Sequence, residues 1–168
     1  FGFPIEEYYT RAGFDFSRHR FAELAARYME IYVPASEVCP LMDGAAEALQ
    51  AFRSAGLRQV ILSASKRDTL CQQVGQRGVT RYFVRLLGLG DIYAKSKVEL
   101  GQRFMQEEGI DPARAVMIGD SVHDFEVAQA MGTACVLQCS GHQNRQTLAA
   151  TGAPVVEGLR EAAQLILG

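Results

Sequence analysis

Two carboxylates are placed where they could do chemistry together. The segment Ile118-Gly119-Asp120-Ser121-Val122-His123-Asp124 closes an apolar run with Gly-Asp and sets a second acid four positions on. Across a strand-to-helix turn, Asp120 and Asp124 can converge on one point. Hard oxygen ligands converging beside a phosphate suit Mg2+, which takes one or two carboxylates together with waters and substrate oxygens. The plainer alternative is that both acids serve a helix N-terminus, where negative charge is favoured.

Three segments share a form: Ser65-Lys66-Arg67-Asp68, Ser96-Lys97-Val98-Glu99 and Ser121-Val122-His123-Asp124. Each matches the Ser-x-x-Asp/Glu pattern that caps a helix. Two of them follow directly on an apolar strand. Ligands of open α/β sheets bind outside the carboxyl ends of the strands, and helix N-termini there offer unpaired N–H groups to an anion. Capping alone is the ordinary role of such boxes. Ser121, His123 and Asp124 crowd one helical turn, so they form no Ser-His-Asp triad, which is assembled from separate elements.

The elements that must position these residues follow from periodicity. Phe21, Leu24, Ala25, Tyr28, Met29 and Tyr32 fall at three- and four-residue steps, which predicts a helix over 21–32 with Gly13 before it and Pro34 after it. A turn-rich joint, Cys39 to Gly44, leads into a second helix over 45–54 that stops at Gly56. Short apolar runs then alternate with helices. Strands are expected at 60–62, 82–87, 115–118, 133–137 and 154–156, with helices at 66–74, 97–108, 122–131 and the C-terminus. That alternation specifies a parallel sheet covered on both faces. Gly88-Leu89-Gly90 lacks the third glycine of a dinucleotide fingerprint and reads as a loop. Ser140-Gly141-His142-Gln143 follows a strand at the same sheet end as the acids. His142 there is either an ordinary loop residue or a contact to substrate.

Composition bounds the function. The 168 residues are 48% hydrophobic and 21% charged, a globular balance. Seventeen Lys and Arg against nineteen Asp and Glu leave a formal charge of −2, which argues against a nucleic-acid binder relying on bulk positive charge. No apolar run reaches the roughly 18–20 residues of a membrane span. Cys39, Cys71, Cys135 and Cys139 form no CxxC pair, so free, buried thiols in a reducing, cytoplasmic setting are expected. Packing is the reading for Cys135 and Cys139, because no further Cys/His pair completes a zinc set. The first residue is Phe1, and no basic start with an apolar stretch follows it.

Val60 to Ser65, then Lys97, then Met117 to Asp124 resembles motifs two, three and four of the haloacid dehalogenase-like hydrolases. The order matches, and spacings of 34 residues from Ser63 to Lys97 and 23 from Lys97 to Asp120 fit that family. Pro40 to Ala45 resembles the passage from cap to core in its phosphoglycolate-phosphatase-like branch, as does Tyr8-Tyr9…Gly13-Phe14 within the cap. The resemblance implies an α/β fold: a three-layer, Rossmann-like parallel sheet with a partial helical cap, residues 1–40 being the cap remnant and 41–168 the core. It implies that Ser63 donates its hydroxyl, and Ala64 its backbone N–H, to a phosphoryl oxygen. Lys97 neutralises phosphate charge and steadies the nucleophile, with Lys95 a weaker, exposed candidate. Asp120 binds Mg2+ directly, while Asp124 acts through a bound water or orients the site. Phe1, Tyr8, Tyr9 and Phe14 either line the cap side of the pocket or form the cap's own core. Arg18, His19 and Arg20 form a solvated face.

The family's first motif, an apolar strand ending in Asp-x-Asp-x-Thr whose first Asp attacks phosphorus, has no counterpart. The nearest match, Gly13-Phe14-Asp15-Phe16-Ser17, lacks the strand and the second acid, and fits a loop between cap helices. In the family that strand lies between the strands ending near Ser63 and Asp120. The expectation is therefore a truncated chain, poorly stable and inert alone, from a Mg2+-dependent phosphatase of small phosphorylated metabolites working through an aspartyl phosphate. A metal-free dehalogenase fits less well, because Gly119-Asp120 supplies a metal-type carboxylate. A phosphomutase stays open, as does oligomeric state. The rival from another class is a non-catalytic phosphate-binding or regulatory module of the same fold.

Overall fold

A computed structural model of the protein describes residues 5–18, 20–90 and 96–168. Phe1, His19 and Lys95 lie outside the described residues. The chain divides into two compact units, Phe1–Pro40 and Leu41–Gly168.

The first unit holds α1 (Ile5–Arg11) and α2 (Phe21–Val38). Tyr9 meets Phe14 edge-on at 5.5 Å between ring centroids and lies 6.0 Å from Phe21, which in turn lies 6.0 Å from Phe16. Tyr9 and Phe14 thus pack within their own unit, with Tyr8 6.1 Å from Tyr9. Asp15 sits in the loop between the helices, its carboxylate accepting the Ser17 N–H. The expected stop at Pro34 is corrected: α2 runs through it to Val38. Proline's fixed φ suits a helix and costs one N–H bond; on a helix with no buried residue, water can reach the carbonyl left over. Tyr28, Met29 and Tyr32, the end of the predicted apolar stripe, are exposed.

The second unit begins with α3 (Ala45–Ser54), opened by Gly44 in the left-handed region, where a side chain would meet Arg160. Then follow β1 (Gln59–Lys66), α4 (Arg67–Gln76), β2 (Phe83–Leu89), α5 (Lys97–Glu107), β3 (Val116–Gly119), α6 (Val122–Met131), β4 (Ala134–Gln138), α7 (Arg145–Ala149), β5 (Val155–Val156) and α8 (Leu159–Leu167). All pairings are parallel: β1 with β2 in one sheet, and β3-β4-β5 in another. Among the described residues β1 and β3 do not pair, so the expected single sheet is in two pieces. The break falls where the resemblance puts the first-motif strand. Helices span it on both sides. Gln59 at the start of β1 donates to the Leu49 carbonyl of α3, and Ala48 and Phe52 of α3 pack with Ile118 of β3 and Ala163 of α8. Gly101 of α5 is closed in by Leu62 of β1 and Met131 of α6, both within about 3 Å of where a Cβ would stand.

Two local expectations are corrected. Ser65 does not cap α4, which starts at Arg67 with Lys66 before it and no side-chain cap. The register with β2 slips between Ser63 and Lys66, so two extra residues bulge from β1 and draw Ser65 into the strand. Gly88 and Leu89 belong to β2 rather than to a loop. Gly88 is needed for space: a Cβ there would stand 2.6 Å from the Arg67 Cα. The short α7, with Asn144 accepting from the Thr147 N–H, has no counterpart among the elements expected from periodicity.

The core under the candidate site is fully buried at Leu137, Val127 and Leu148. Leu137 sits in β4 between Gly119 of β3 and Val155 of β5. Leu137→Ala should therefore cost about 2–5 kcal/mol. Urea unfolding followed by circular dichroism measures it; a loss under about 1 kcal/mol would contradict this placement.

Candidate active site

The turn after β3 brings the two acids together. A Cβ on Gly119 would overlap the Asp124 Cβ and stand 2.8 Å from its Cγ. Only glycine lets Asp124 fold back over the strand end. Ser121 caps α6 as expected, its Oγ accepting the Asp124 N–H at 3.2 Å and donating to Asp124 Oδ2 at 2.7 Å. The Asp120 N–H reaches the same Oδ2 at 3.2 Å.

Lys97 arrives from another element. Ser96 caps α5, accepting from the Glu99 N–H, so Lys97 is the first helical residue. Its Nζ donates to Asp124 Oδ1 at 2.6 Å, and each side chain is only 13% exposed. Burial pushes the Asp124 carboxyl up, but the Lys97 hydrogen bond and charge, the Ser121 hydroxyl and the Asp120 N–H together outweigh it and hold the pKa below the usual range.

Asp120 is held differently. Its Oδ2 accepts the His142 backbone N–H at 3.1 Å and lies 2.8 Å from His142 Nδ1. Gln143 Oε1 accepts the Val122 N–H at 2.7 Å, satisfying one free donor of the α6 N-terminus. The loop after β4 is thus part of this site. Of its residues, the sequence pointed only to His142, through its position at the same sheet end. The Gly141 and Gln143 contacts are long-range and leave no mark in spacing.

Ser63 lies half-buried toward the carboxyl end of β1, its Oγ accepting the Ser65 N–H at 3.1 Å, and Ala64 is exposed. Among the described residues no hydrogen bond joins Ser63 or Ala64 to Lys97, Asp120 or Asp124. The structural link is through Leu62, which packs on Gly101, one helical turn beyond Lys97. Lys97, Asp120 and Asp124 form one bonded cluster, with Ser63 at the end of the neighbouring strand.

The donor set can be tested against Mg2+. Among the described residues no three His, Cys, Asp or Glu side chains gather as a metal cage. Both Asp124 oxygens are engaged, whereas Asp120 Oδ1 accepts no hydrogen bond from the described residues. One open carboxylate oxygen fits an ion that keeps most of its waters and takes the rest from substrate. Asp124, saturated by Lys97, Ser121 and the Asp120 N–H, fits the orienting or water-mediated role.

The cysteines form no disulfide among the described residues, and they are not buried as expected: Cys39 and Cys71 are exposed, Cys135 and Cys139 intermediate. Burial, with Asp124 nearby, pushes the Cys135 thiol up to about 11, leaving it a poor nucleophile. Cys139 donates to Glu157 at 3.2 Å.

The lowered Asp124 pKa fixes a sign. A depressed carboxyl contributes stability that is full above its unfolded value, near 3.9, and is lost as pH falls through the folded value. Asp124→Asn should therefore destabilise at pH 7 by about 1–3 kcal/mol, and the gap to the parent should narrow below about pH 4. Urea midpoints across pH 3–7 measure this; a gap that widens on acidification contradicts it. Gly119→Ala should be at least as damaging at pH 7, because its methyl displaces Asp124.

Residues 1–138 match the model of the haloacid dehalogenase-like hydrolase family. The chain is 25% identical over 146 residues to a phosphoglycolate phosphatase of Pseudomonas savastanoi, covering 83% of the chain and 53% of that protein. It is 31% identical over 88 residues to the pyrophosphatase PpaX of Bacillus pumilus, covering 52% and 41%. The chain spans about half the length of the curated relatives it matches. Its fold is similar to the crystal structure of a predicted phosphatase from Clostridium acetobutylicum, with TM-score 0.79 and 21% identity over 96% of this chain and 76% of that one. A haloacid dehalogenase-like hydrolase from Streptococcus pneumoniae superposes with TM-score 0.77 and 16% identity over 86% and 69%. The match over residues 1–138, together with the parallel α/β fold, shows that the chain belongs to the haloacid dehalogenase-like hydrolase family.

Proposed function

We propose that this chain carries the phosphate- and metal-holding part of a Mg2+-dependent phosphatase that hydrolyses a small phosphate monoester through an aspartyl phosphate. The observation that carries the reading is the unequal state of the two acids. Lys97 and Ser121 saturate Asp124, while Asp120 keeps one oxygen open at the carboxyl end of β3. The phosphatases among the relatives support the reaction class. Cysteines not joined in disulfides suit a cytoplasmic setting, and no helix among the described residues is long and apolar enough to cross a membrane.

In the proposed reaction a carboxylate oxygen bonds to phosphorus as the ester P–O bond breaks and the leaving oxygen takes a proton. Water then cleaves the acyl phosphate, releasing inorganic phosphate and returning the carboxylate. By the family resemblance, the attacking group would come from a strand seated between β1 and β3, where the sheet is interrupted. Mg2+, held by Asp120 Oδ1, would offset charge on the phosphoryl oxygens. Lys97, held by Asp124 at the first turn of α5, presents positive charge toward the same oxygens. Ser63 and the Ala64 N–H, toward the carboxyl end of β1, supply donors.

The test uses p-nitrophenyl phosphate and two proteins: the chain as it stands, and the chain joined at its N-terminus to an apolar strand ending in Asp-x-Asp-x-Thr. The first should release no phosphate above background. The second should show Mg2+-dependent release that Asp120→Asn lowers roughly 100-fold or more. Release that survives Asp120→Asn or chelator contradicts the reading. Phosphate binding by the joined protein without turnover selects the rival, a non-catalytic phosphate-binding module.

A further inference from the structure

The loop between β4 and α7 reaches back onto the turn that carries Asp120, and its contacts there go beyond the one that caps α6. It begins at Gln138, a buried polar residue only 4% exposed. The Gln138 side-chain oxygen accepts both the Ser140 N–H, at 3.0 Å, and the Ser140 hydroxyl. That fixes the direction in which the chain leaves the sheet. Gly141 then passes directly over Asp120: a Cβ there would overlap Asp120 Oδ2 and stand 2.7 Å from its Cγ. The backbone at Gly141 is not in the left-handed region, so what glycine provides here is space. The close pass brings two His142 groups onto one oxygen, the backbone N–H at 3.1 Å and Nδ1 at 2.8 Å. Nδ1 donates to that oxygen in the tautomer that carries its proton there. One residue on, Gln143 ties the same loop to the Val122 N–H, two residues beyond Asp120.

We propose that residues 140–143 are a positioning clamp for Asp120. Gly141 admits the loop, His142 anchors Oδ2, and Gln143 locks the turn that carries the acid, so that Oδ1 is the oxygen presented to a ligand. A carboxylate gripped at one oxygen cannot rotate freely, and its free oxygen is preorganised. This deepens the proposed function and rests on Asp120 being the cation ligand. Residues that orient a metal ligand typically govern metal affinity by 10–100-fold.

The experiment uses the chain itself with Mg2+ alone as probe, followed by calorimetric titration and by the side-chain carboxyl 13C signal of Asp120 without metal. Gly141→Ala should shift that signal and weaken Mg2+ binding about tenfold or more. Gln143→Ala should weaken it several-fold, and Gln143→Glu, which keeps an accepting oxygen for Val122, should restore most of the loss. Asp120→Asn should abolish binding. If Gly141→Ala unfolds the chain, the Gln143 pair decides: equal losses in Gln143→Ala and Gln143→Glu overturn the clamp. Parent-like affinity and an unmoved carboxyl signal in folded Gly141→Ala also overturn it, even where Asp120→Asn abolishes binding. Binding that Asp120→Asn leaves intact refutes the metal role of Asp120 instead, while a shifted carboxyl signal in Gly141→Ala would still support the anchoring.

Discussion

The ion pair between Lys97 and Asp124 is the contact on which the site's geometry depends. It joins the first residue of α5 to the first turn of α6 at 2.6 Å, with little solvent around either partner. Removing two charges from water is costly, and the attraction recovers that cost only when the remaining hydrogen-bonding capacity is also filled. Here it is filled on the acid's side, because Asp124 Oδ2 takes the Ser121 hydroxyl and the Asp120 N–H. The pair therefore fixes three things together: the place of the lysine, the start of α6, and the backbone of the residue bearing the second acid.

Two glycines make that arrangement sterically possible. Gly119 lets Asp124 lie over the end of β3, and Gly141 lets the loop after β4 lie over Asp120. Acids four residues apart thereby come to differ in kind. Asp124 is enclosed, ion-paired and held below its usual pKa. Asp120, 26% exposed at its side chain, is gripped at one oxygen and, among the described residues, accepts no hydrogen bond at the other. An enclosed acid beside one with an open oxygen is the division that the proposed metal-holding role calls for.

Much of this was legible from residue order, and the failures have physical reasons. The bounds of α3 and α6 and the start of α5 follow from caps and glycines next to clear apolar periods, and Ser96 and Ser121 do cap as their boxes imply. Ser65, in the same pattern, does not, because a bulge in β1 uses the residues a cap would need. Pro34 does not end α2, although it removes one N–H bond and crowds the preceding turn; on a helix that buries nothing, water can reach the carbonyl left over. The Lys97–Asp124 contact was not legible: the resemblance places both residues at one site but assigns Lys97 to the phosphate and the nucleophile, and 27 residues separate the partners. The grip of His142 and Gln143 on the turn after β3 was illegible for the same reason: loop contacts across 21 and 22 residues have no period. The interruption of the sheet beside β1 was foreseeable only through the absent Asp-x-Asp-x-Thr.

The most direct measurement is a double-mutant cycle on Lys97→Met, Asp124→Asn and the double variant, read by urea unfolding at pH 7. Contacting, shielded partners should couple by about 1–3 kcal/mol, each single change costing more alone than in the presence of the other. Additivity within about 0.3 kcal/mol would show the two side chains to be energetically independent, and the site would then have no common anchor.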